Sequence, residues 1–86
     1  MPTRYAYLIH RTDPDPDRDD DRRVMSRGTM RLDDGADLGE VARELLAENR
    51  SLHSFYGGSR RCWLWPLPDG ETVPRIPPAG VEPVDG

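Results

Sequence analysis

Arg60-Arg61-Cys62-Trp63-Leu64-Trp65-Pro66-Leu67-Pro68 is a short apolar burst that holds both tryptophans and the only cysteine of an 86-residue chain. Its alternating sets, Cys62 and Leu64 against Trp63 and Trp65, are both apolar, so as a strand it has two faces to bury. A chain of this length has few elements with which to cover them. Its Pro-rich and Asp-rich stretches leave about 60 residues for a core, a size at which stability is marginal without a staple or a partner. The single Cys62 supplies neither an intrachain disulfide nor a zinc site. Oligomerisation or a stable partner is therefore expected. Cys62 reads as a small buried hydrophobe in a reducing compartment.

The element before this strand is a helix. Asp37 can cap its first turn, and Glu40 stands three residues later as in a capping box. Leu38, Val41, Ala42, Leu45 and Leu46 follow at three- and four-residue spacing, with Leu52 extending the stripe, while Glu40, Arg43, Glu44 and Glu48 mark the solvent side. Gly57-Gly58 ends the helix at the latest. Two strands precede it. Tyr5 to His10 alternates Tyr5, Tyr7 and Ile9 against Ala6, Leu8 and His10, and Val24 to Leu32 alternates Val24, Ser26, Gly28, Met30 and Leu32 against Met25, Arg27, Thr29 and Arg31. The first set of the second strand is expected to face the core, and Asp33-Asp34-Gly35 turns the chain into the helix.

Between the two strands, residues 13–23 repeat proline and aspartate and are expected to form a solvated loop. After the tryptophan strand, Asp69-Gly70 offers a turn into Glu71-Thr72-Val73-Pro74-Arg75-Ile76, which Pro74 would restrict to a sheet edge. Residues 77–86, rich in Pro and Gly, are expected to be a flexible tail. The fold expected is thus a single α+β domain over residues 1–76. It is a small two-layer β-β-α-β(-β) arrangement, a three- or four-stranded antiparallel sheet with one helix on one face.

No motif for chemistry accompanies this fold. Asp13, Asp15 and Asp17 have the spacing of a calcium loop, but Arg18 occupies the place of its turn glycine and Val24 that of its bidentate glutamate. His10 and His53 stand in no zinc pattern, and Ser51, Ser54 and Ser59 lack a nucleophile-elbow context. Tyr56-Gly57-Gly58-Ser59-Arg60-Arg61 fits neither phosphate-binding fingerprint. No catalytic, metal or cofactor residues are expected, and the chain reads as a non-enzyme.

Composition narrows the partner. All twelve basic residues are arginine, a bias of high-GC coding, and the net charge of −4 argues against indiscriminate binding to phosphate backbones. The first residues lack the apolar core of a secretory signal, and no run is long enough to span a membrane, so a cytoplasmic location is expected. One helix covers one face of a sheet, leaving an apolar outer patch. If Leu8, Met30, Leu32, Cys62 and Leu64 face the helix, the open face carries Trp63, Trp65, Tyr5, Tyr7, Arg27 and Arg31. In the opposite orientation the tyrosines and tryptophans form the core, and Ala6, Leu8, Cys62 and Leu64 lie outside.

Tyr5-Ala6-Tyr7-Leu8-Ile9, Ser26 to Leu32, the helix from Leu38 to Leu46 and the strand around Trp63 together resemble small uncharacterised β-β-α-β proteins of high-GC actinobacteria and their phages. The resemblance covers about two thirds of the chain and implies no activity. The function expected from the residues is a protein-interaction module working through the aromatic sheet face, as a homodimer, small subunit, adaptor or inhibitor. A single-stranded nucleic-acid binder using the same aromatic and arginine residues is the alternative. A phage-encoded inhibitory or anti-defence protein is compatible with the size and acidity.

Overall fold

A computed structural model describes residues 2–12, 23–55 and 57–86. The elements run β1 (Thr3–Arg11), β2 (Val24–Leu32), α1 (Leu38–Leu52), β3 (Arg60–Pro66) and β4 (Val84–Asp85). The strands form one antiparallel sheet in the order β2-β1-β3-β4, with the helix packed on it, so the fold is the small α+β arrangement expected. No helix among the described residues is long and apolar enough to cross a membrane. Residues 13–22 of the expected acidic loop lie outside the described residues.

Because β2 and β3 both run antiparallel to the central β1, they are parallel to each other. Joining them requires a connection across the sheet, and α1 makes that crossing. The turn before it closes with Ala36 N–H donating to Asp33 O at 3.1 Å, and Gly35 takes the left-handed φ of 86° that the turn needs. Asp37 caps α1 as expected, accepting from Glu40 N–H at 3.2 Å. The buried side of α1 is Ala42, Leu46 and Asn49, whereas Leu52 is 70% exposed and does not continue the stripe. Asn49 takes the next inward position after Leu46, and Leu52, the last residue of the helix, lies at the open rim of the sheet–helix contact.

Strand register decides which residues share a face. Tyr7 lies opposite Leu64, Ile9 opposite Cys62, and Leu8 opposite Trp63. On the other side of β1, Tyr5 lies opposite Met30 and Leu8 opposite Arg27. Directly opposed residues point the same way. The helix side therefore carries Tyr5, Tyr7, Ile9, Met30, Cys62 and Leu64, and the far side Ala6, Leu8, Arg27, Arg31, Trp63 and Trp65. This differs from both expected orientations, each of which set the tyrosines and tryptophans together. β2 keeps its expected alternation from Ser26 onward, with Arg27, Thr29 and Arg31 exposed. An irregularity opposite Ile9 and His10 sends Val24 to the far-side core and Met25 to the helix-side core.

Each face has its own core. Ile9, Ala42, Leu46 and Cys62 pack between sheet and helix, joined by Met25, Leu45, Leu64 and Val84. On the far side Ala6, Leu8, Trp65, Leu67 and Val73 form the second core, with Val24, Trp63 and Val81 against it. Among the described residues no helix covers this second core; the chain after β3 does. The edge strand expected at Glu71–Ile76 is absent: the Asp69-Gly70 turn forms, but residues 71–76 cross the sheet face without pairing as a strand. Pro74 lacks the amide a ladder requires, and buried Val73 holds its segment by packing instead. Residues 77–86, expected as a flexible tail, instead return to the sheet. Val84 and Asp85 pair with Cys62 and Arg61 as the fourth strand, and Gly86 N–H donates to Arg60 O at 3.0 Å.

Candidate interaction surface

The far side is a joint between the sheet and residues 67–83, which form a strap. Arginines on the sheet hold the strap by its backbone carbonyls. Arg27 Nη1 donates to Val73 O at 2.7 Å, and Arg4 donates to Pro68 O at 2.7 Å and to Glu71 O at 3.2 Å. His10, 5% exposed, has Nε2 2.8 Å from Arg75 O. A carbonyl only accepts, so this nitrogen carries the proton. The imidazole also meets Trp63 edge-on, at 4.9 Å between ring centroids. Arg31 reaches Asp69 at 3.9 Å, an exposed pair that contributes little. Four of the six expected contact residues, Trp63, Trp65, Arg27 and Arg31, thus come together on one face, where they bind this chain's own strap. Trp65 is only 8% exposed there.

Tyr5 and Tyr7 lie on the other face, and their surroundings are more open. α1 packs chiefly on β3 and β4 and meets the half of the sheet made by β1 and β2 only along its border, at Ile9 and Met25. Tyr5, Tyr7, Ser26, Gly28, Met30 and Leu32 form this half, all partly exposed. Tyr7 lies down across β2: a Cβ on Gly28 would stand 2.6 Å from its hydroxyl and 2.8 Å from its ring, so glycine is the residue that lets the ring settle there. At the border with the helix, Tyr7, Ile9 and Ser26 meet Leu45 and Leu52 in a shallow cleft. Phe55, 85% exposed, follows just beyond α1 and stacks edge-on against His53.

The third exposed feature is backbone. β2 has nine residues and lies at the sheet edge, paired only with β1 among the described residues. The opposite edge, β4, is two residues long. A long edge strand offers a row of donors and acceptors to another chain; on the opposite side β4 pairs only with Arg61 and Cys62, and the shorter stretch of β3 from Trp63 to Pro66 lacks a ladder partner among the described residues.

Arg60 escaped the sequence reading. It is 1% exposed, its Nε donates to Asn49 Oδ1 at 2.7 Å, and its Nη2 donates to His53 O at 2.9 Å, at the C-terminal end of α1. A cation suits the negative end of a helix dipole, and the bonds to it are charge-assisted. The available clue was Asn49, the only carboxamide in the chain, on the inward side of a helix otherwise lined by aliphatic residues. Arg61, next to it, points away and binds Asp85 Oδ1 through Nε at 2.6 Å, on the border of a cleft of about 350 Å³ that Arg11 and Arg23 also line.

Cys62 is buried, and desolvation pushes its thiol up to about 12. A thiol so far from ionising at neutral pH is a packing residue and a poor nucleophile. Comparison with family models, curated proteins and solved structures returns no match for this chain.

Proposed function

We propose that this chain is a non-enzymatic cytoplasmic module that acts by protein–protein contact, and that its contact surface is the unroofed half of the sheet built by β1 and β2. The observation that carries this reading is the off-centre helix, which leaves Tyr5, Tyr7, Met30 and Leu32 partly exposed, with exposed Leu52 beside Tyr7. Aromatic and methionine side chains around a partly open apolar face are what the centre of a protein interface is made of. A single-stranded nucleic acid would need Trp63 and Trp65 as stacking surfaces; Trp65 is buried beneath the strap and only half-buried Trp63 borders the cleft lined by Arg11, Arg23 and Arg61, which favours protein as the partner.

Co-isolation from the native host, with the wild type and with Tyr5→Ser and Leu52→Asp variants of unchanged thermal midpoint, tests the reading. A protein bound by the wild type and lost from both variants supports it. Equal retention by the variants, or a monomer that retains no protein, refutes it.

A further inference from the structure

The nine-residue β2 edge has no partner strand on its outer side among the described residues, and its regular alternation from Ser26 to Leu32 keeps it straight enough to pair. It carries no proline, and the sheet's one irregularity falls at its first residues; of the devices that blunt an edge its middle holds only the charges of Arg27 and Arg31, whose guanidinium groups reach Val73 O and Asp69 of the strap. We propose that two copies of this chain associate by antiparallel pairing of β2 with β2 about a two-fold axis at Gly28, giving a continuous eight-stranded sheet. This rests on the protein-contact reading above and names the partner.

Overlap and charge select the register. Centring the axis on Gly28 pairs the whole strand, Val24 with the partner's Leu32 and Ser26 with the partner's Met30, along a seam of about 30 Å. Arg27 then stands opposite the partner's Thr29. Centring it on Thr29 sets Arg27 opposite the partner's Arg31 twice over, a destabilising arrangement of like charges. In the Gly28 register both arginines stay with their own strap, Arg27 on Val73 O and Arg31 beside Asp69. On the helix side, each Tyr7 hydroxyl lies over its Gly28. Two glycines opposed across the axis bring the two tyrosines together above the seam, since opposed Cα atoms are about 5 Å apart. The pairing places the two unroofed half-faces side by side, so the apolar surface becomes continuous across the dimer.

Sedimentation of the wild-type chain is the first test, with a mass twice the 9.8 kDa of one chain expected. The second is a register test by oxidation. A mixture of Arg27→Cys and Thr29→Cys chains should give a disulfide-linked heterodimer, and neither variant alone should cross-link comparably. Buried Cys62 stays out of this reaction. Cross-linking of Thr29→Cys with itself would move the axis and overturn the register. A wild-type chain that is monomeric up to millimolar concentration would overturn the self-pairing. If that monomer still retains a host protein that Tyr5→Ser loses, the broader contact reading stands while the dimer falls.

Discussion

The two sides of the sheet solve the same problem in different ways. The far side, with both tryptophans, is closed by an irregular strap that has no periodicity of its own, held by Leu67, Val73 and Val81 and by arginine-to-carbonyl bonds. The near side has a regular amphipathic helix, yet that helix packs chiefly on β3 and β4 and meets the tyrosine half only along its border. A regular element is therefore not the better cover. A strap can follow the surface residue by residue, whereas a helix presents one stripe along a straight axis and shields only what lies beneath it.

The largest effect should come from Trp65→Ala. It removes an aromatic side chain from the closed face, with an expected loss of about 3–5 kcal/mol, enough to unfold a domain of this size. Urea denaturation followed by circular dichroism measures it, and Tyr5→Ala on the open face should cost clearly less. Equal losses would show that the two faces are equally packed.

Val73→Asp attacks the strap itself. Placing a carboxylate against Ala6 and Leu8 should cost about 3 kcal/mol and shift tryptophan emission to longer wavelength as the strap lifts. Unchanged emission with unchanged stability would mean that the strap does not seal the tryptophans. Arg60→Ala should cost about 2 kcal/mol by leaving Asn49 Oδ1 and the His53 carbonyl without their guanidinium donor, and Arg60→Lys should recover part of it.

Cys62 reports on the near-side core through pH. Its thiol ionises at an ordinary 9.0 when unfolded and at about 12 when folded. The contribution of this group is fully present below pH 9.0 and declines as pH rises from there toward 12, because only the unfolded chain gains by releasing the proton. A thiol reagent at pH 8 should label Cys62 only under denaturing conditions. The smallest effect belongs to Phe55→Ser, which should change stability by less than about 0.5 kcal/mol. A larger loss would place Phe55 in a packed environment within the folded chain.

Much of the fold was legible in sequence because it depends on short-range periodicity. The capped start of α1 at Asp37, the alternation of β2 from Ser26 and the two apolar faces of β3 all follow from residues within a few positions of one another. The proposed contact surface was legible only in part. Alternation within a strand says which residues share a face, but not which face of one strand aligns with which face of the next. A one-residue difference in register exchanges every side chain between faces. Tyr7 opposite Leu64, in place of Trp63, is such a difference, and it separates the tyrosines from the tryptophans.

The sequence by itself determined that β3 has two faces to bury and that one helix cannot bury both. Its composition also determined that no staple within the chain could substitute for packing. Only the tertiary structure decided that the second face is covered by residues 67–83, that the last residues close the sheet as β4, and that the open surface lies around Tyr5 and Tyr7. The physical reason is range. A proline-rich segment carries no period that announces its contacts, and its position is set by Arg4, His10 and Arg27, residues more than forty positions away in the chain.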